Sequence, residues 1–398
     1  MRPLFLLGIP LFFLSGCAEM QSQPSLDYFI EEPQTNPAAN PEAEPRPRIR
    51  VAIVIHQPSI HLVAPEAFVL SGFSFDGTPP AGQPPEKKFR EITLTPGQLD
   101  GPKALLTPLG EGQIEVNGKP YRGSMEILVE PDHTLTVIND VDLEDYVMGV
   151  VAGEVPQNWP REALKAQAIA ARTFAVLKRE EARSAGNAYD LENTALFQMY
   201  RGAGTLNENI QAAVSETGGE IMTYDNRPIE AFFHSNCGGQ TSDAKSVWSR
   251  DEPYLQSVRC DYGNDGPHYR WKAEILIPDL VRELREAGVR IGDVAAIKPM
   301  DRDDSGRARQ LAIVDSDGTI RNIKASAFRM ALGPDVIRST HFDARVENDR
   351  VVFNGLGWGH GVGLCQEGAC GMAMRGFNAF EILRYYYRGI IVETLKIQ

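Results

Sequence analysis

Glu154 is a carboxylate in an unusual place. It lies in DLEDYVMGVVAGEVPQNWPREALKAQAIAARTFAVLK, residues 142–178. The pattern predicts two helices joined by a short turn containing proline, with Glu154 at the joint. Stepping about 100° per residue from Leu143, the side chains of Tyr146, Val147, Val150 and Val151 fall on one apolar stripe, and Glu154 falls near its middle. A carboxyl on a buried face loses water, which raises its pKa, and a helix C-terminus disfavours the anion further. A carboxyl pushed towards neutral pH suits general acid chemistry. Two structural readings stand beside this one. Either Gly153 ends the helix early and turns Glu154 to solvent, or Glu154 pairs with an arginine such as Arg172.

Two further blocks carry polar chemistry. The first is FHSNCGGQT, beginning at Phe233 and holding His234, Ser235 and Cys237. Its Gly-Gly pair allows close backbone approach. No strand–GxSxG–helix frame surrounds His234-Ser235, so a serine-hydrolase elbow is a poor fit, and a polar loop braced by Cys237 is the structural alternative. The second is NGLGWGHGVGLCQEGACGMAMRG, with glycines at 355, 357, 359, 361 and 363. In an extended segment alternate residues share a face, so one face is bare backbone and the other shows Trp358 and His360. Trp358 could stack on a sugar ring and His360 could donate a hydrogen bond or proton. A tightly packed core strand explains the same glycines. The spacing is not a nucleotide fingerprint.

The elements that position these blocks are legible in outline. Strand-like runs at 49–55, 113–116, 124–129 and 134–138, with a hairpin signal at Asn117-Gly118, make the first folded part β-rich. Asp142 is suited to cap the Glu154 helix. The next helix is expected from Pro160 to about Ala185, with Gly186 as its stop. Its alanines imply close packing on all sides. Gln167 and Arg172 on such a helix need partners, and Glu154 is the natural one. Helical and strand-like pieces over 275–340 suggest a smaller α+β insertion or subdomain, before the glycine-rich motif and two short helices at 350–398. The fold class expected is α+β.

Composition limits the partners. The chain has 398 residues, 42% hydrophobic, and a net charge of −13. That charge argues against nucleic acid and polyanionic wall polymers, but not against a largely uncharged sugar chain. Met1 and Arg2 precede a short apolar run, Pro3 to Leu14, leading into Ser15-Gly16-Cys17. The run has the shape of a secretory signal. Ser-Gly-Cys resembles a bacterial lipobox, with cleavage before Cys17, a lipid on its thiol and, since Ala18 follows, sorting to the periplasmic face of an outer membrane; a plain signal peptide with an incidental cysteine is the alternative. Residues 18–47, rich in Pro, Glu, Asn and Ala, read as a disordered linker. Such a linker reaches roughly 100 Å extended and about 30 Å as a coil, which suits a tethered domain working on nearby peptidoglycan. Four cysteines remain. The expected pairs are Cys237–Cys260 and Cys365–Cys370; zinc held by His234, Cys237, Cys260 and His268 is the rival. No other cofactor is expected.

Together the blocks resemble the SpoIID/LytB family, that of stage II sporulation protein D and the amidase enhancers. DLEDYVMGVVAGEVP, WPREALKAQAIAARTFA, FFHSNCGGQT, SVW with PYLQSV, and GWGHGVG leading to QEGACGMA and YYYRGI occur in order from about Arg48 to the C-terminus. The resemblance implies an α+β domain over 48–398, with its core motif region at 140–262. It also implies lytic transglycosylation of peptidoglycan strands that lack stem peptides, with Glu154 as catalytic acid. Gln167, Arg172, His234, Ser235, Trp358, His360 and Gln366 are the expected supporting or substrate-binding residues. Other members are enhancers of an N-acetylmuramoyl-L-alanine amidase, so a non-catalytic glycan-binding role with an amidase partner is the alternative. Two positions depart from the family pattern. Cys365 replaces a hydroxyl residue and Glu367 replaces an aromatic.

Overall fold

Asp142 marks the change from sheet to helix. The computed structural model describes residues 47–72, 87–110, 112–194, 197–204 and 207–396. Cys17, the signal-like segment and most of the 18–47 linker lie outside them. The described part belongs to one compact unit beginning at Arg46.

The chain opens with β1 (Arg48–Gln57), β2 (Ile60–Ser71), β3 (Lys87–Leu94), β4 (Lys103–Pro108), β5 (Ile114–Val116), β6 (Lys119–Tyr121), β7 (Ser124–Val129) and β8 (Leu135–Asp142). With β9 (Leu191–Glu192) they form a nine-stranded sheet in the order β6-β5-β2-β4-β7-β8-β1-β9, β3 pairing with β2. Asn117 and Gly118, both at positive φ, make the expected hairpin between β5 and β6. Strand β8 runs straight into α1 (Leu143–Glu154), and the Asp142 carboxylate caps it by accepting from the backbone N–H groups of Glu144 and Asp145. The helix therefore extends to Glu154 and does not stop at Gly153. Its stripe of Leu143, Tyr146, Val147, Val150 and Val151 is buried.

Helix α2 (Arg161–Ala185) starts from Pro160 and stops at Gly186 in the left-handed conformation. Its alanines lie in the main core, with α1 and α3 (Glu208–Glu216) packed against it. The chain continues through β10 (Glu220–Tyr224), β11 (Arg227–Pro228), β12 (Phe233–His234) and α4 (Ala244–Trp248).

A second apolar cluster draws on residues 271–353. It is built by β13 (Arg270–Leu276), α5 (Ile277–Glu286), β14 (Ala296–Arg302), β15 (Ala308–Val314), β16 (Ile320–Lys324), α6 (Ala325–Leu332), β17 (Phe342–Glu347) and β18 (Arg350–Leu356), arranged as two three-stranded sheets that meet through β14 and β17, with α5 and α6 packed on each other and on the strands. The chain then returns to the first core through β19 (Leu364–Cys365), α7 (Gln366–Met374), α8 (Ala379–Tyr386) and β20 (Ile391–Thr394). The architecture is α+β. Parallel pairing of β12 with β19 brings His234 opposite Cys365 and joins the second block to the third.

The glycine-rich block is not an extended strand with one bare face. Strand β18 ends at Leu356, and Gly357, Gly359, Gly361 and Gly363 all take positive φ, from 72° to 109°. They bend the chain between single bridges at Trp358 and Val362. A Cβ at Gly363 would meet the Phe232 carbonyl oxygen at 2.1 Å, and one at Gly359 would meet the His234 side chain at 2.7 Å. Both conformation and clearance therefore require glycine here.

Candidate active site around Glu154

Glu154 ends α1 where the segment 199–202 crosses the helix. A Cβ on Gly153 would lie 2.1 Å from the Met199 carbonyl oxygen, and one on Gly149 would lie 2.5 Å from that of Gly202. These two glycines, one turn apart, open the groove in which the segment lies. The Met199 N–H then donates to Glu154 Oε1 at 2.8 Å. On the other oxygen, Gln366 Nε2 approaches Oε2 at 3.4 Å and Gln167 Oε1 at 3.5 Å. Both glutamines are buried. Gln167 Nε2 is also buried and has no partner, leaving one donor unused beside the acid.

Burial pushes the Glu154 carboxyl pKa above its ordinary value, against opposing pulls from the Met199 N–H, the Gln366 amide and the charge of Arg201. The side chain retains some solvent exposure, so this carboxyl is hemmed in without being sealed off. A cleft of about 560 Å³ exists elsewhere, lined by Lys178, Tyr189, Asp190 and Phe197 among others, and Glu154 is not part of it.

Arg172 does not brace Glu154. Its guanidinium grips Glu144 at the other end of α1, with Nε to Oε1 at 2.8 Å and Nη2 to Oε2 at 2.6 Å, and Nη1 donates to the Glu220 carbonyl. This two-pronged pair leaves the arginine side chain fully buried. The partner expected on sequence grounds is thus replaced by Glu144, about ten residues and nearly three turns from Glu154.

The histidines form a neighbouring group. His234 Nδ1 lies 3.1 Å from the Val362 carbonyl, and its Nε2 is buried without a partner. His360 accepts from the Val362 N–H at Nδ1, which leaves the hydrogen on Nε2 to donate to the Phe233 carbonyl at 2.9 Å. The two rings stand edge to face, 5.5 Å apart. Burial drives both pKa values down, that of His360 to about 3, so both are neutral. His360 is therefore occupied by the backbone and is no proton donor. Ser235 contributes its carbonyl, which accepts from the Glu367 N–H. Trp358 pairs through its backbone with Asn236, and Arg338 lies 4.3 Å from its ring centre. One face of the ring expected to stack on sugar is thereby covered.

Glu367 was not among the expected site residues, yet it is buried and central. Its Oε2 accepts from Asn236 at 2.6 Å and its Oε1 contacts His268 Nδ1. Its departure from the family pattern was the available signal.

Neither expected cysteine pairing forms, and all four described cysteines are free. The zinc set is also redrawn. His234 and His268 turn to Val362 and Glu367, while Cys365 joins Cys237 and Cys260 in a cluster whose Sγ atoms lie within 4.8 Å of one another. Cys370 lies on α7 beyond this cluster, because Cys365 caps that helix with its Sγ directed to the Gly368 N–H.

The segment that forms α1, α2 and β10 falls within a match to a known family. A family model described as stage II sporulation protein matches residues 131–224, and a domain of unknown function matches residues 250–363. Stage II sporulation protein D of Bacillus subtilis is 32% identical over 265 residues, covering 63% of this chain and 74% of that protein. This chain belongs to the SpoIID/LytB family. An uncharacterised protein of Brachyspira hyodysenteriae is 35% identical over 278 residues, covering 69% of this chain and 73% of its own length. The amidase enhancer of Bacillus subtilis is 26% identical over 325 residues, covering 70% of this chain and 44% of that longer protein. Each of these three relatives leaves part of this chain unmatched, while the Glu154 helix pair falls inside the family model.

Proposed function

We propose that this protein cleaves peptidoglycan glycan strands by lytic transglycosylation, acting on strands without stem peptides. Membership of the family supports a role related to the cell wall. The observation that carries the catalytic reading is the position of Glu154, a desolvated carboxyl at a helix C-terminus with no cation in hydrogen-bond contact among the described residues. Its Oε1 is committed to the Met199 N–H at 2.8 Å, while Oε2 has the longer Gln366 contact at 3.4 Å, so Oε2 is the oxygen to carry a transferable proton.

In the proposed reaction Glu154 gives that proton to the glycosidic oxygen as the C–O bond breaks. The sugar's own 6-hydroxyl closes on the anomeric carbon, and its proton returns to Glu154. One carboxyl then serves both steps, whereas glycosidases of the two-carboxylate type need a second acid at a set distance. Arg201 is the charged side chain acting on Glu154 among the described residues, which agrees with a single-acid scheme. Gln366 and Gln167 would hold the acid, and the unused Gln167 Nε2 and His234 Nε2 offer a donor and an acceptor for sugar hydroxyls. Export, a lipid on Cys17 and residence at the periplasmic face of an outer membrane complete the proposal.

The experiment is to incubate the protein and its Glu154→Gln variant with peptide-free glycan strands and with intact sacculi, and to weigh the products. Fragments with 1,6-anhydro ends from the wild type alone are expected. Strand binding without fragments would favour the second reading, a non-catalytic glycan binder that recruits an amidase, for which the likeness to an amidase enhancer speaks.

A further inference from the structure

Cys237, Cys260 and Cys365 come from three separate parts of the chain and meet in the main core. Pairing of β12 with β19 brings the first and third together, and the backbone N–H of Cys237 points at Cys365 Sγ, 3.2 Å away. All three side chains are wholly buried. Polar groups meet two of the sulfurs, while Cys237 Sγ itself faces the Cys260 carbonyl at 4.0 Å. The Gly368 N–H reaches Cys365 Sγ at 3.3 Å, and the Tyr386 hydroxyl lies 3.1 Å from Cys260 Sγ. The fit is tight, since a Cβ on Gly368 would lie 2.6 Å from Cys260 Sγ and 2.1 Å from the Tyr386 oxygen. A donor aimed at sulfur favours thiolate, in opposition to burial, which favours the thiol. A plain apolar packing of three cysteines would not call for such donors. A disulfide would use two sulfurs and leave the third among the same donors.

Charge provides a second, independent observation. Arg307 is buried, its charge acts on Cys237 and Cys365, and its Nε and Nη2 have no partner. Asp303 also acts on this guanidinium, yet two of its buried nitrogens stay unpaired, which is costly. Three thiolates and one divalent cation leave a single net negative charge, which the guanidinium would help to balance.

We propose that Cys237, Cys260 and Cys365 form a site for one thiophilic d10 cation, zinc first, which ties β12, β19 and the Cys260 segment together beneath the Glu154 site. Binding releases three thiol protons to solvent and forms three metal–sulfur bonds of about 2.3 Å for zinc. Zinc in structural sites takes four ligands, and the Tyr386 oxygen, 3.1 Å from Cys260 Sγ, is a polar side-chain atom at hand to complete the set. Cys365 immediately precedes Gln366, so an ion here would also fix the start of α7, from which Gln366 reaches Glu154. The site stands whether or not the protein cleaves glycan.

The test uses the purified full chain. Elemental analysis should find about one zinc per chain, and X-ray absorption should report a sulfur-dominated shell at about 2.3 Å. Cys237→Ser and Cys365→Ser should lose the metal, while Cys370→Ser keeps it. Copper at the same ratio and with the same sulfur shell would support the site and change only the ion. Failure of the serine variants to fold would leave the wild-type absorption spectrum as the deciding measurement. A reduced wild-type protein that takes up neither metal from excess would overturn the proposal. So would a disulfide between any two of the three sulfurs in unreduced protein.

Discussion

The two ends of α1 carry the same residue type to opposite purposes. Glu144, near the N-terminus, is gripped by the buried Arg172 and also accepts from the Gly219 N–H. Glu154, at the C-terminus, has one backbone N–H, one long amide contact and, among the described residues, no cation in contact. The first is a structural ion pair that ties α1 to α2 and to the start of β10. The second is a carboxyl whose burial is left largely uncompensated, so its neutral form is favoured. Compensation is placed where the fold needs a tie and withheld at the carboxyl proposed to carry the transferable proton.

The comparison can be broken most severely at its stable end. Arg172→Ala should cost about 3 kcal/mol, because it removes a fully buried side chain and leaves the half-buried Glu144 without its counter-charge. Thermal unfolding would read this as a large fall in Tm. A fall no greater than that of a surface arginine variant would show that the pair is not a tie.

At the other end the large effect is on rate. Glu154→Gln should fold normally and lose activity by about 10²–10⁴-fold, the range a general acid contributes. The same variant should be at least as stable as wild type at neutral pH. A carboxyl whose folded pKa is raised favours the native state fully only below its ordinary value of 4.5, and that contribution fades as pH rises through the raised value. Any advantage of the glutamine should therefore vanish in acid, as denaturation measured at several pH values would reveal.

Gly153→Ala probes the groove between them. With the Met199 carbonyl 2.1 Å from the new Cβ, the segment must shift, at a cost of about 1–3 kcal/mol. Activity should fall more than stability, because the same shift removes the Met199 N–H from Glu154. Equal losses in both would mean that this contact only packs the chain.

The smallest effect is expected at Gln366. Its amide pulls the Glu154 pKa down, so Gln366→Ala should move the basic limb of the pH–rate profile upwards while lowering the rate modestly. A downward move would contradict the assigned contact.

Much of this region was legible because it depends on local rules. The Asp142 cap, the Gly186 stop and the stripe holding Glu154 follow from spacing along one helix. The choice of Arg172 between two carboxylates does not, since it depends on where β10 and the turn before it pack. The cysteines teach the same lesson. Cys365 meets Cys237 because two short strands run parallel across 128 positions of sequence, and nothing in the local spacing encodes that pairing. The alternating glycines misled for another reason. Period two is shared by a bare strand face and by a bent segment, and only the positive φ values separate them.

The central claim is that Glu154 holds its proton more tightly than an ordinary carboxyl. Its side-chain carbon can be followed by NMR in protein labelled at glutamate carboxyls, with the Glu154→Gln variant identifying the signal. The account predicts a midpoint above the ordinary value of 4.5. A midpoint at or below that value would contradict it.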